Sequence, residues 1–140
     1  MATLTKYQVF VEDLLEGVHD FDNHVFKVLL SNTAPVVATH QLRSQTTELA
    51  TAGGYVSGGV TVAITTSRTG AVAKAVSADA LFTATGALGP FRYAILYNDT
   101  PTSPLDPLIG YWDYGASVTL AAGETFTVDC DPTNGILTIT

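Results

Sequence analysis

The chain has 140 residues, 46% of them hydrophobic and only 14% charged, with a formal charge of −7. That length fits one domain and buries enough surface to fold without a disulfide or a metal. The charged fraction is well below the roughly 25% usual in globular domains. Thr, Ser, Ala and Gly fill the deficit, and a surface of short uncharged polar groups suits β-structure and packing against other proteins better than it suits a freely soluble enzyme. The residues through Arg92 hold six basic and seven acidic side chains. Beyond them lie Asp99, Asp106, Asp113, Glu124, Asp129 and Asp131, with no Lys or Arg. Phosphate recognition needs clustered cations, so composition speaks against nucleic acid and anionic membranes as partners. Cys130 is alone, so no internal disulfide and no cysteine zinc site is expected. No apolar segment follows a basic start in residues 1–15, so no signal peptide is expected and the chain is expected to be made in the cytosol.

In chain order, residues 1–6 read as an arm and 7–18 as a helix. Tyr7, Phe10, Val11, Leu14, Leu15 and Val18 recur at helical spacing and predict one apolar face. Thr5 and Gln8 have the spacing of a capping box, and Gly17 marks the end. A turn at Asp20–Asn23 leads to a strand over 24–30. There Phe26, Val28 and Leu30 are apolar on one face and Val25 and Leu29 on the other, which predicts an interior strand. Residues 36–59 read as a long loop with one short helical turn near 46–49. The uncharged run 49–67 is long enough to span a bilayer, but its Gly and Thr content and the Val60, Val62, Ile64 alternation read as a strand instead. Strands are then predicted over 60–65, 72–76, 80–84, 91–97, 108–114, 117–120, 124–130 and 136–140. Phe91, Tyr93, Ile95 and Tyr97 are expected on one face, and the last two strands are expected to form a hairpin through Asp131-Pro132-Thr133-Asn134-Gly135. The expected fold is a single, mainly β domain spanning 1–140: a β-sandwich or barrel with one N-terminal helix packed on it, and a body over 24–140.

Motifs that carry chemistry are weak. His19, Asp20, Asp22 and His24 lie close in sequence, but a polar turn explains them better than a metal site, which needs a third ligand at a known spacing. Tyr55-Val56-Ser57-Gly58-Gly59 lacks the first glycine of a nucleophile elbow. Asp129, Asp131 and Asn134 offer oxygen ligands without the calcium-loop spacing. No catalytic, cofactor-binding or metal-binding residue is therefore assigned. Tyr111-Trp112-Asp113-Tyr114 is the densest aromatic stretch. In a strand, Tyr111 and Asp113 point one way and Trp112 and Tyr114 the other, so one face is core and the other is open to a sugar or a partner.

Several segments resemble a family of small virion proteins from tailed bacteriophages. They are Phe10-Val11-Glu12-Asp13-Leu14, Lys27-Val28-Leu29-Leu30-Ser31-Asn32-Thr33-Ala34-Pro35, Thr47-Glu48-Leu49 with Gly54-Tyr55-x-x-Gly58-Gly59, Gly89-Pro90-Phe91-Arg92-Tyr93-Ala94-Ile95-Leu96-Tyr97-Asn98-Asp99, and Pro107-Leu108-Ile109-Gly110-Tyr111-Trp112-Asp113-Tyr114-Gly115. The resemblance implies a β-rich structural protein of the virion, a head-decoration (cement) protein without enzymatic activity or cofactor. Its implied partners are the major capsid protein and copies of itself. Contacts are expected from the arm (Ala2, Thr3, Leu4), the Gly-rich loop (Tyr55) and the aromatic stretch (Tyr111, Trp112). A tail or baseplate component is the nearest alternative, and a sugar-binding adhesin a more distant one.

Overall fold

The computed structural model describes residues 3–140, and Ala2 lies outside them. Strands dominate: β1 (Thr5–Lys6), β2 (Phe26–Ser31), β3 (Val60–Val62), β4 (Ile64–Thr69), β5 (Val72–Ser77), β6 (Ala80–Thr83), β7 (Leu88–Asn98), β8 (Leu108–Leu120), β9 (Thr125–Val128) and β10 (Leu137–Ile139), with one helix, α1 (Gln8–Leu15). They form a five-stranded sheet in the order β1-β8-β7-β2-β3, a three-stranded sheet β10-β5-β4 and a two-stranded sheet β6-β9. All pairs are antiparallel. The result is a mainly β, sandwich-like fold with one N-terminal helix. Among the described residues, no helix is long and apolar enough to cross a membrane.

The five-stranded sheet is buried on both faces, as the apolar alternation of β2 demands. Phe26, Val28 and Leu30 join Ala94, Leu96 and Trp112 on one face, where they pack with Phe82 and Val128 of the two-stranded sheet and Phe10 of the helix. Leu29, Ile95, Tyr97 and Leu108 occupy the other face under Tyr7, Val9 and Val37. β2 lies between β7 and β3, so it is interior as expected. Val25, just before it, is 45% exposed.

The helix is shorter than 7–18 and differently capped. Thr5 belongs to β1, so its backbone pairs with Tyr111 and no capping box forms; Tyr7 is the N-cap and makes no side-chain cap bond. The N–H of Gln8 instead donates to the Val37 carbonyl at 3.1 Å, tying the helix start to the long loop. Gly17, at φ +78°, follows the end of the helix, in a conformation that a residue with a Cβ resists. Tyr7 and Phe10 are fully buried, but Val11 is 50% and Leu15 90% exposed. The apolar stripe is thus narrower than six residues, because Tyr7 and Phe10 reach opposite faces of the sheet from one short helix.

Three further expectations are corrected. Phe91 lies in the main core, on the opposite face from Tyr93, Ile95 and Tyr97. The cause is a bulge: Phe91 pairs with Val118 and Tyr93 with Asp113, so β8 sets four residues, 114–117, against Arg92 alone. This bulge also joins the two strands predicted over 108–114 and 117–120 into one. Second, the strand predicted over 60–65 breaks at Ala63, where the chain leaves the five-stranded sheet for the three-stranded one. Third, the turn at 131–135 forms, with Gly135 N–H donating to Asp131 O at 3.0 Å, but its flanking strands do not pair. β9 pairs with β6, and β10 pairs with β5.

Candidate functional site

The aromatic stretch of β8 sits where the large sheet meets β9 and the N-terminal arm. Trp112, 5% exposed, forms a wall common to two clefts. The first, of about 140 Å³, is lined by Phe91, Ala94, Tyr114, Phe126 and Val128, with Arg92 and Asp129. Phe126 meets both Phe91 and Tyr114 edge-on, with ring centroids 4.8 and 5.3 Å away. The second, of about 120 Å³, is lined by Thr3, Leu4, Asp129, Cys130 and Asp131. Leu4 reaches this place because Gly110 has no side chain: a Cβ there would lie 2.8 Å from Leu4 Cδ1. Both clefts are smaller than the roughly 300 Å³ at which small-molecule sites begin, and each fits a side chain better than a substrate.

The structure thus brings Thr3, Leu4 and Trp112 together. Tyr111 is on the other face of β8, half-buried against Tyr7 and Tyr93 with ring centroids about 6 Å away. Tyr55 lines neither cleft and is 2% exposed, in the same core cluster as Trp112. Its hydroxyl donates to Glu48 Oε1 at 2.6 Å, and so it anchors its own loop.

Glu48 is the hub of that loop, and sequence reasoning did not single it out as functional. Besides Tyr55 it accepts from the Gly58 N–H and from Arg43 Nη2 at 2.8 Å. Burial pushes the Glu48 carboxyl up, but the Tyr55 hydroxyl, the Gly58 N–H and Arg43 outweigh it and hold the group below the usual carboxylate range. Arg43 also reaches Asp106 at 3.5 Å and lies over the Tyr97 ring, 5.3 Å from its centroid. Tyr97 OH in turn donates to the Gly58 carbonyl at 2.6 Å. Gly59 follows at φ +79° and passes so close to β2 that a Cβ would strike the Val28 carbonyl. The segment 36–59 is therefore a loop, as expected, but an internally anchored one. Its helical turn is a 3-10 turn at Arg43–Gln45, just ahead of the predicted position. A hollow of about 330 Å³ beside it is lined by Arg43, Glu48 and Asp106, whose charges already satisfy one another.

Folding offsets half of the charge asymmetry of the sequence. Asp99 pairs with Lys27 at 3.1 Å, Asp106 with Arg43, and Asp113 with Arg92 at 2.7 Å. The last pair is two-pronged, with a second contact at 3.1 Å. The Arg92 bonds, with the Gly115 N–H, hold the Asp113 carboxyl below its ordinary range. Three acids of the C-terminal third are thus matched by cations from the first two-thirds.

The turn at residues 19–24 is organised by Asn98, which is fully buried. Its Nδ2 lies 3.1 Å from His19 Nδ1 and 2.9 Å from His24 Nδ1. The Asp20 N–H also donates to His24 Nδ1, so that nitrogen is the acceptor and the Asn98 amide is the donor. Asn98 Oδ1 accepts from Thr100 N–H, which fixes the amide orientation. Burial, and then His24, push the His19 imidazole down to about 4. Among the described residues no three of His, Cys, Asp and Glu come together as a metal-sized group. Asp131 uses its carboxylate on its own turn, accepting from Thr133 and Asn134 N–H at 3.0 Å. Burial raises the Cys130 thiol to about 11, so it stays protonated near neutrality. Ser57 Oγ bonds to Arg43 and Glu48.

Compared with known protein families, with characterised proteins and with solved structures, the chain finds no match.

Proposed function

We propose that the chain is a structural component of a tailed-bacteriophage virion, most specifically a head-decoration protein that binds the capsid lattice, and that it is not an enzyme. Its partners are the major capsid protein and further copies of itself, and its location is the virion surface. A cement protein acts by mass action: it binds across neighbouring subunits and so stabilises the arrangement that creates its site. The observation that carries the reading is the exposed surface of the β4–β5 hairpin. Residues 65–69 are all exposed, and Arg68 is their one charged member. Covering such a surface needs little ion desolvation, whereas burying unpaired charge costs several kcal/mol per ion. The resemblance across β2, β7 and β8 and the rigidly anchored loops agree with this role. So do the side-chain-sized clefts around Trp112.

The internal pairing of Asp99, Asp106 and Asp113 sharpens the test. With these acids matched inside the chain, attachment should respond weakly to screening. The protein should remain on purified particles as sodium chloride is raised from low to high concentration. Complete release at moderate salt would show that charge across the interface holds it, and would contradict the uncharged-contact reading.

A further inference from the structure

We infer that β4 is a self-complementary edge through which two copies of the chain pair, joining their three-stranded sheets into one six-stranded sheet. The inference deepens the self-association part of the proposed function. The isolated protein tests it, so its failure can be told apart from failure of the virion reading.

The argument begins with backbone parity. In an antiparallel ladder alternate residues bond their partner strand, and the residues between them turn N–H and C=O the other way. The register runs without a shift from Ile64 opposite Ser77 to Thr69 opposite Val72. Just before it, Ala63 O accepts from Ala78 N–H at 2.8 Å. Ala63, Thr65, Ser67 and Thr69 therefore face β5, and Ile64, Thr66 and Arg68 direct their backbone groups to the open edge. β4 ends its sheet, and among the described residues no other element takes those groups.

Natural sheets blunt such edges with short strands, proline, lysine, bulges or a covering segment. The other ends of the two larger sheets are short: β1 has two residues, and β3 and β10 three each. The outer edge of β8 is interrupted by its bulge at 114–117. β4 has six residues, no proline and no bulge. Its single charge is turned back on its own hairpin, Arg68 Nη1 donating to Gly70 O at 2.9 Å.

A two-fold axis through Thr66 satisfies all the open groups at once. Thr66 would pair with Thr66 of the second copy, and Ile64 and Arg68 would pair with each other in both directions. Each of the three pairs exchanges two bonds, about six in all. The two arginines lie apart, each opposite an isoleucine, so no like charges meet across the strands. The contact is isologous, so it closes at two copies and does not run on into a fibre.

The test is sedimentation equilibrium of the isolated protein with rising concentration, with two edge variants. Thr66→Pro removes an N–H that no bond among the described residues uses, and Thr66→Lys sets two ammonium groups face to face on the axis. The wild type should move toward twice the 14.7 kDa chain mass, while both variants stay monomeric with unchanged circular dichroism. If Thr66→Pro fails to fold, Thr66→Lys decides alone. Independently, Thr66→Cys should crosslink to itself through a short bismaleimide, and Ser117→Cys should not. A wild type monomeric at every concentration, a dimer that Thr66→Lys leaves intact, or Thr66→Cys crosslinking no better than Ser117→Cys would overturn the inference.

Discussion

Stability should fall with acidification through His19, whose pKa folding lowers. The imidazole is 6% exposed and stacks near Phe10 and Phe21, with ring centroids 5.2 and 6.2 Å away. Its Nδ1 already faces the Asn98 amide, a donor, so a proton there would meet another hydrogen. Folding thus lowers its pKa from 6.5 to about 4. Between those values the unfolded chain binds a proton that the folded chain does not, so stability is full above pH 6.5 and declines as pH falls. One such proton is worth about 1.4 kcal/mol per pH unit, and the loss from pH 7.5 to pH 5 comes to about 2 kcal/mol. The assay is urea unfolding at several pH values in that window, for the wild type and for His19→Asn, whose amide oxygen can replace Nδ1 as an acceptor without titrating. The variant should start less stable, because it loses ring packing, but its stability should fall less steeply with pH. Parallel pH profiles for the two proteins would refute the reasoning.

Phe10→Ala should cost about 3–5 kcal/mol, since the ring is buried where the helix meets the main core; Leu15→Ala, on the same helix but 90% exposed, should stay within about 0.5 kcal/mol. Chemical denaturation of both variants checks the corrected helix face, and equal costs would contradict it. Glu48→Ala should cost about 2–3 kcal/mol, because Tyr55 and Gly58 lose a buried acceptor and Arg43 a partner. It should also speed limited proteolysis within 36–59. The Glu48 carboxyl is held below its ordinary value, so its contribution is present above that value and is lost as pH falls through the folded one. The variant should therefore show a shallower decline in strong acid.

What could be read from the chain was what depends on short-range alternation. β2 shows apolar residues on both faces, and an interior strand is the arrangement that buries both. The same parity separates Tyr111 from Trp112, and the structure puts them on opposite faces of β8. What could not be read depends on partners distant in sequence. The phase of Phe91 is flipped by a bulge that forms against β8. Thr5 has a capping side chain, but its backbone is taken by Tyr111, far along the sequence. The turn at 131–135 has hairpin chemistry, yet its strands find β6 and β5 instead of each other. The acidic C-terminal third looked like a charged surface because Lys27, Arg43 and Arg92, which neutralise half of its acids, lie far from them in sequence. Of the expected contact residues, Leu4 and Trp112 meet because Gly110 leaves room for Leu4. Tyr55 is drawn inward by Glu48, a pairing that the Thr47-Glu48-Leu49 and Gly54-Tyr55 segments contain but do not announce.

The central claim is that this is a structural virion component. The most direct test is to count the chain per purified particle by quantitative mass spectrometry, using particles of a phage that carries this sequence. The account predicts hundreds of copies, as a capsid lattice requires, associated with heads after tails are removed. A few copies per particle, or copies that follow the tail, would move it to a vertex, baseplate or tail position. Absence from purified particles would contradict the account altogether.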